Sequence, residues 1–317
     1  MDIVHLLHDY LAKPDNRGCP LSPCQRVALT LSFYASDSFL RVVGLFVGVK
    51  KTCAHTAVQE VTGVLCTKSR DFIAMSSPME MRESAEKLRD RFKIPLVALG
   101  VDGTHIRLDH SPNRNELPNG VHTQDFWCRK QFYSVNVQLI GDGFSLIRDF
   151  EVKWAGSTHD SRIWRNSPAK IILEQQTEFL IAGDSAYPIS PVLVKPFKDT
   201  PTNQHRRFNQ HLSGLRTACT ENMIGVWKRR FPCLKMGLRT KLEKSLKIIR
   251  ATGMLHNLAI VLKGPMPEDV MDEPEQEERP HIEANDINRE PVTEAARKIQ
   301  GAARRERLFQ TFCNTIN

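Results

Sequence analysis

The N-terminal third of the chain has the hydrophobic spacing of amphipathic helices. Residues 27–34 and 52–65 carry apolar side chains in a helical pattern, which predicts helices with one buried face. Residues 39–46 predict a short helix between them, followed by a glycine-containing turn at 47–49. Two helices joined by a tight turn outline a helix-turn-helix, although ordinary helical hairpins share this outline. A charged helix is predicted at 79–92.

After residue 94 the pattern changes to short apolar runs that are typical of strands. Four such runs occur, at 96–102, 133–140, 144–154 and 178–184. The first and the last each end in an aspartate, Asp102 and Asp184, and Gly141-Asp142-Gly143 predicts a hairpin between the second and the third. Helical patterns follow at 161–175, 213–230 and 238–262, with a polar loop at 195–210. This order predicts an α/β fold, a mixed sheet with helical cover, preceded by an all-α region.

Three regions follow from these patterns. We expect a helical N-terminal region with the helix-turn-helix at 1–94, an α/β domain at 95–262, and a flexible tail at 263–317 that is first acidic and then basic. Within the tail, residues 293–312 predict a basic amphipathic helix.

Composition excludes several classes of protein. The 317 residues are 41% hydrophobic and 25% charged, which are ordinary values for a globular chain. No apolar run approaches the ~20 residues of a membrane helix, and the N-terminus lacks the pattern of a signal peptide. Eight cysteines occur without a Cys-x-x-Cys pair, which favours reduced thiols over a zinc ribbon or a disulfide framework. We therefore expect a soluble, intracellular protein without membrane association.

The net charge of +8 favours a polyanionic partner, and its distribution is uneven. Residues 195–250 contain 14 basic and three acidic side chains, whereas residues 265–290 contain two basic and ten acidic ones. The basic segment also carries periodic apolar residues, so we expect it to be folded and to present its charge on one face.

Four carboxylates are candidates for chemistry because of their positions. Asp102 and Asp184 end predicted strands, Asp160 lies in the turn after the third strand, and Glu221 lies on a helix in the basic segment. Carboxylate clusters suit Mg²⁺ or Mn²⁺, and without a cation such a cluster would be repulsive. The alternative is that each aspartate merely caps a helix or forms a turn.

Four motifs in order carry a resemblance to a known family. They are Val101-Asp102-Gly103-Thr104-His105-Ile106, Ala155-Gly156-Ser157-Thr158-His159-Asp160-Ser161, Ala182-Gly183-Asp184-Ser185-Ala186-Tyr187-Pro188 and Glu221-Asn222-Met223-Ile224-Gly225-Val226-Trp227-Lys228-Arg229-Arg230-Phe231. Together with Leu255-His256-Asn257, they resemble the successive motifs of the PIF/Harbinger transposase family and of the nuclease derived from it. The resemblance extends from about Arg26 to Leu262.

The resemblance implies an RNase H-like fold with a DDE catalytic centre. By motif, Asp102, Asp184 and Glu221 correspond to the catalytic triad, and Asp160 to an additional metal-associated acid; all four would hold Mg²⁺ or Mn²⁺. The chain departs from the family after the glutamate, with Asn222 in place of the usual arginine and Ile224 in place of phenylalanine.

The implied function is a divalent-metal-dependent DNA endonuclease that leaves 3′-hydroxyl ends without autonomous transposition. The family implies a separate Myb/SANT-like DNA-binding partner, and no such domain is evident in this sequence. The alternative is a catalytically silent DNA-binding or scaffold protein of transposase origin. We expect the nucleus as the location, with the cytoplasm as a second one, and a homo-oligomer is left open.

Basic residues in three places are candidates for DNA contact. They are Lys50 and Lys51 in the helix-turn-helix region, Arg206 and Arg207 in the basic segment, and Lys228, Arg229 and Arg230 after Glu221. For the last three, a solvated surface without DNA contact is the alternative interpretation.

Overall fold

The fold was analysed in a computed structural model, which describes residues 3–12, 21–36, 38–176, 178–264, 267 and 292–316. The acidic half of the predicted tail falls almost entirely at 265–291 and, except for Pro267, lies outside the described residues. No helix in the described part of the chain is long and apolar enough to cross a membrane.

The N-terminal helices are α1 (Ile3–Leu11), α2 (Pro23–Ser36), α3 (Leu40–Val47), α4 (Lys51–Phe72) and α5 (Pro78–Phe92). The strands are β1 (Val97–Arg107), β2 (Ser134–Asp142), β3 (Ile147–Ala155), β4 (Leu180–Ala182) and β5 (Leu193–Val194). The remaining helices are α6 (Asp160–Arg165), α7 (Pro168–Gln175), α8 (Asn203–Arg216), α9 (Asn222–Arg230), α10 (Cys233–Met236), α11 (Leu242–Val261) and α12 (Val292–Ile316).

The five strands form one mixed sheet in the order β3-β2-β1-β4-β5. β1 pairs antiparallel with β2, and β2 with β3, whereas β4 lies parallel to both β1 and β5. This mixed sheet with helical cover confirms the expected RNase H-like α/β fold. All nine residues of β2 are buried, including the polar Ser134, Asn136, Gln138 and Asp142.

β1 is longer than its apolar run predicts. The expectation that this strand ends at Asp102 is wrong, because β1 continues to Arg107 by pairing with β2. Its parallel partner β4 pairs only with Val97–Gly100. Asp102 therefore lies in the middle of a strand, just beyond the point where the neighbouring strand stops.

The hairpin predicted at 141–143 is confirmed between β2 and β3. The side chain of Asp142 holds its turn by accepting hydrogen bonds from the backbone N–H groups of Phe144 (2.8 Å) and Leu146 (3.0 Å). Arg148 Nε lies 2.7 Å from Asp142 Oδ2, so the buried carboxylate that shapes the turn is also paired.

Helices α3 and α4 have the helix-turn-helix outline. α3 ends at Gly48, whose φ of 73° places it in the left-handed region that favours glycine, and its N–H caps the carbonyls of Gly44 and Leu45. α2 and α3 pack on α4, and α4 packs on α11, which ties the helical region to the α/β domain. Lys50 and Lys51 are exposed at the start of α4, and DNA contact by them stays a prediction.

Two segments are more ordered than the sequence suggests. α8 covers the second half of the predicted polar loop, because Thr202 caps its start and one face buries Phe208 and Leu212. α12 contains the predicted basic helix, and it packs against α8 and β5 through buried residues including Phe309 and Phe312. This part of the tail therefore belongs to the folded body, unlike the flexible tail that we expected.

Helix α11 fastens the β2–β3 hairpin to the rest of the protein. The Asn257 side chain accepts a hydrogen bond from the Ile147 N–H and donates to the Ile147 carbonyl, each at 2.8 Å. The fully buried His256 ring donates from Nε2 to the Ser145 carbonyl at 3.0 Å. Burial lowers the pKa of His256 to about 4, and the charge of Arg230 adds to the shift while the bond to Ser145 opposes it. His256 is therefore neutral in the folded protein near neutral pH.

We predict that His256 makes the fold sensitive to acid. Between about pH 6.5 and 4 the unfolded chain takes up a proton that the folded protein resists, so stability falls as the pH falls. The shift from 6.5 to about 4 corresponds to a loss on the order of 3 kcal/mol. His256→Gln keeps an amide donor for Ser145 and removes the titration. Its free energy of unfolding, from urea denaturation across this range, should fall less steeply than that of the wild type. His110→Gln, which changes an exposed histidine, should keep the wild-type slope; parallel curves for all three proteins would contradict the prediction.

Candidate active site

Asp102 is held at the centre of the sheet. It pairs with Leu139 of β2, and its side chain is 14% exposed. The Gly103 N–H donates to Asp102 Oδ1 at 3.0 Å, which orients the carboxylate. β4 has already ended at this level, and Asp102 lines a cleft there.

Asp184 lies two residues beyond the end of β4, as the sequence predicts for the end of this strand. Its residue exposure is 9%, and Oδ1 accepts a hydrogen bond from the Ala186 N–H at 2.9 Å. The turn after β4 therefore fixes this carboxylate by its own backbone. The parallel pairing of β1 and β4 brings Asp184 to the side of Asp102.

Asp160 is the first residue of α6 and lies over the strand that carries Asp102. Asn136 of β2 donates from Nδ2 to Asp160 Oδ1 at 3.0 Å, and a Cβ placed on Gly103 would lie 2.5 Å from the same oxygen. Glycine is thus the residue that leaves room for this carboxylate beside Asp102. Burial raises the pKa of Asp160, and the hydrogen bond from Asn136 opposes that shift while the charge of Asp184 adds to it.

Glu221 reaches the site through a π-helical turn, Thr217–Glu221, that joins α8 to α9. The turn packs closely on the sheet at a pair of glycines that face each other in register, Gly100 of β1 and Gly141 of β2. A Cβ on Gly100 would lie 2.8 Å from the Cβ of Cys219, and one on Gly141 would overlap the Cys219 carbonyl. The two glycines therefore make room for the turn that ends in Glu221.

Arg216 connects Asp102 to Glu221. Its Nη1 lies 2.7 Å from Asp102 Oδ2, its Nη2 donates to Glu221 Oε1, and Thr217 Oγ1 donates to Glu221 Oε2 at 2.8 Å. In a regular α-helix, side chains five positions apart are about 140° apart around the axis. The wider π turn brings Arg216 and Glu221 together, which is a frequent use of π turns at functional sites.

The acids around Arg216 influence one another. Burial raises the pKa of Asp102 to about 7; the Arg216 charge opposes this shift, and the charges of Asp184, Asp160 and Glu221 increase it. All four predicted site acids therefore act on one place in the protein. A single guanidinium compensates only part of their combined negative charge.

The oxygen ligands of the four acids fit a divalent cation, although their arrangement does not form a complete metal site. Among the described residues, no three acidic, histidine or cysteine side chains are placed to hold one metal ion together. Arg216 lies between Asp102 and Glu221 and uses an oxygen of each. The oxygen ligands, their burial and their mutual repulsion are what a hard cation such as Mg²⁺ or Mn²⁺ would satisfy. Binding through Asp102 and Glu221 would require Arg216 to give up these bonds.

The acids open into a cleft of about 3630 Å³, lined by Asp102, Asp160 and Asp184. Basic residues from several elements line it too, among them Arg129, Lys153, Arg162, Lys195, Lys298 and Arg305. Its size and charge suit an extended polyanion better than a small metabolite.

The seven basic residues predicted to contact DNA, all of which the structure describes, are not part of the cleft lining. Lys228 Nζ donates to the carbonyl of His105, a residue of the lining, at 3.2 Å. Arg206 and Arg207 are exposed on α8. Their DNA contacts stay predictions, and the cleft presents a different set of cations.

Sequence reasoning missed Arg216 and Asn136. Asn136 had a signal, because it is an amide within the apolar run that became β2. Arg216 had none that distinguished it from other basic residues of its segment, since its role depends on the π turn.

The chain is similar to a known family and to several named proteins. Residues 101–257 match the family model described as "DDE superfamily endonuclease". The human protein named "Putative nuclease HARBI1" is 27% identical over 304 residues, covering 92% of this chain and 83% of the relative. The Xenopus laevis protein of the same name is 26% identical, in an alignment that covers 81% of this chain and 74% of that protein. "Protein ALP1-like" of Arabidopsis thaliana is 26% identical, covering 82% of this chain and 67% of its own.

Among solved structures, "Crystal structure of a pre-cleavage Mos1 transpososome" aligns over 80% of this chain and 81% of its own at 9% identity. Its TM-score of 0.19 is too low to support an argument.

We predict that Arg216 stabilises the fold by compensating the charges of Asp102 and Glu221. Arg216→Met should lower the free energy of unfolding by about 3 kcal/mol near pH 8, because it leaves a buried carboxylate without its partner. The deficit should shrink towards pH 5, where Asp102 takes up a proton and no longer needs a counter-charge. Urea denaturation at both pH values measures this.

Arg207→Met, on the exposed face of the same helix, is the matched control and should change stability little. Mn²⁺ should restore part of the stability lost in Arg216→Met and stabilise the wild type less, because there the guanidinium occupies the carboxylates. Equal stability of both variants at both pH values would show that the contacts of Arg216 contribute nothing.

Proposed function

Residues 101–257 of this chain form a DDE superfamily endonuclease domain, and from this premise we propose that the protein is a divalent-metal-dependent DNA endonuclease of transposase descent. The observation that carries the proposal is the gathering of Asp160, Asp184 and Glu221 around Asp102, beside a cleft with basic walls. Acids gathered in this way destabilise the fold unless a cation uses them.

Asp102, Asp184 and Glu221, with Asp160 as an additional ligand, are the residues that would hold Mg²⁺ or Mn²⁺. When bound, such an ion supplies Lewis acidity for an attacking water and neutralises charge on the leaving oxygen. Asn136 and the Ala186 N–H each fix one carboxylate oxygen, so Asp160 and Asp184 are positioned before any ligand arrives. Such preorganisation lowers the cost of assembling the reacting groups.

The proposed reaction is hydrolysis of a DNA phosphodiester. The water oxygen forms a bond to phosphorus while the bond from phosphorus to the 3′ oxygen breaks. The leaving oxygen takes up a proton and becomes a 3′-hydroxyl, and the water oxygen remains on the 5′-phosphate. The basic walls of the cleft would hold the DNA backbone during this step.

The wider context of the activity is part of the same proposal. We place the protein in the nucleus, where it would meet its substrate, with the Myb/SANT-like protein that the resemblance implies as the DNA-targeting partner. Transposition by this chain alone is not proposed, because targeting is assigned to that partner.

The second candidate function is a catalytically silent DNA-binding or scaffold protein. The observation that favours it is the position of Arg216, whose guanidinium already occupies oxygens of Asp102 and Glu221. A protein of this kind would keep the basic cleft and would not need to release Arg216.

The two candidates differ in what the loss of one acid should do. We predict that the wild type nicks supercoiled plasmid in the presence of Mg²⁺ or Mn²⁺, and that Asp184→Asn lowers the rate at least a hundredfold, as removal of a principal charge-stabilising group does. Gel electrophoresis of plasmid forms gives the rate, and end-labelling tests for the 3′-hydroxyl.

Asp199→Asn is the matched control, because Asp199 is an exposed acid of the same cleft that lies outside the group of four. It should keep the wild-type rate. Absence of cleavage by the wild type, both alone and with a Myb/SANT-like partner, would favour the silent protein. Equal cleavage by the wild type and Asp184→Asn would remove Asp184 from the mechanism.

A further inference from the structure

The C-terminal helix α12 is held firmly against the edge of the nuclease domain. Phe309 and Phe312 are buried in a cluster with Phe208 of α8. Arg304 donates from Nη1 to the Pro191 carbonyl at 2.7 Å and from Nη2 to the Glu178 carbonyl at 2.9 Å. Glu178 precedes β4 and Pro191 lies between β4 and β5, so these contacts determine the orientation of α12 relative to the active-site end of the sheet.

One face of α12 lines the cleft. Lys298, Ala302 and Arg305 are spaced four and three positions apart, which places them on one side of a helix, and all three belong to the cleft lining. The guanidinium of Arg305 is 4.0 Å above the Phe197 ring and donates to the Pro196 carbonyl at 3.3 Å. Arg305 is therefore a positioned cation.

A third cation meets this face from the sheet. Lys195 directly follows β5, and its Nζ donates to the Ser185 carbonyl at 3.1 Å, one residue from Asp184. Burial lowers the pKa of Lys195; the charges of Arg305 and Lys298 lower it further, and that of Asp184 opposes them. The three cations are thus close enough to repel one another beside one of the site acids.

We propose that Lys195, Lys298 and Arg305 form a phosphate-binding site for the sugar–phosphate backbone of the DNA, next to Asp184. This inference rests on the proposed function, because it names the surface that would hold the proposed substrate. Like charges brought together in a partly buried place are stabilised by an anion between them. A row of cations along a cleft wall suits the repeating charge of a nucleic acid backbone.

The assignment differs from the expectation drawn from the sequence, in which α12 was part of a flexible tail and the DNA contacts lay elsewhere. Lys298 and Arg305 reach the cleft because α12 is packed on α8 and β5. The site would act on any sequence, because a backbone phosphate carries no base identity.

The test measures binding of the full-length protein to a labelled DNA duplex by fluorescence anisotropy, in chelator so that cleavage does not interfere. We expect Lys298→Gln and Arg305→Gln each to weaken binding several-fold at low salt. Each should also reduce the slope of log K against log salt by about 0.9 for one lost phosphate contact. Arg307→Gln is the matched control: it removes the same charge from an exposed position of the same helix, and it should change the slope much less.

A variant that gains binding separates this effect from misfolding. Ala302→Lys adds a cation between Lys298 and Arg305 on the cleft face, and it should strengthen binding and steepen the slope. Ala303→Lys, at an exposed position next to it, should do so much less. If Arg305→Gln fails to fold by circular dichroism, Lys298→Gln and the alanine pair still decide the question.

The outcomes distinguish the two proposals. A wild type without salt-dependent affinity for DNA overturns the proposed function and this site together. The site alone is overturned if the wild type binds DNA but the paired variants do not differ. In that case Lys298→Gln and Arg307→Gln have the same affinity and salt slope, and so do Ala302→Lys and Ala303→Lys.

Discussion

The charge balance around Arg216 is the constraint on which the rest of the active site depends. Four carboxylates act on one partly buried place, where burial and the charges of the other three acids raise the pKa of Asp102 to about 7 despite the opposing charge of Arg216. Charges in such a place are tolerated when opposite charges and hydrogen bonds compensate them. Arg216 provides the opposite charge, and Asn136 and the Ala186 N–H provide hydrogen bonds to the acids that Arg216 does not contact. The acids can therefore stay together while no other cation is present.

The sheet supplies the positions that this balance requires. β1 continues past the end of β4, so Asp102 in the middle of β1 lies beside Asp184 in the loop that follows β4. The facing glycines Gly100 and Gly141 admit the π turn, and the π turn places Glu221 on the same side as Arg216. The glycine pair and the π turn thus depend on each other, since neither would bring Glu221 to Arg216 without the other.

The sequence was sufficient for the order of β1 to β4, and it pointed to the four acids whose charges act on one place in the structure. Apolar runs and the Gly-Asp-Gly turn predicted β2 and β3 because these signals are local. The extent of β1 was not predictable, since residues beyond Asp102 are strand only through pairing with β2. The π turn and the packing of α12 were missed for the same reason: each depends on a surface, the glycine pair or the buried face of α8, that folding has to assemble first.

The cost of the partly buried group of Asp102, Arg216 and Glu221 bears on the choice between an active and a silent protein. Replacing buried charged groups by well-packed apolar residues of similar volume is often neutral or stabilising, whereas removing one partner is costly. A scaffold that needed only its fold and its basic cleft would gain nothing physically from Asp102, Arg216 and Glu221 as a group. Asp160 and Asp184 add further repulsion to that group. The physical benefit of keeping all four acids together appears only when they bind a cation, and this is why we put the nuclease before the silent protein.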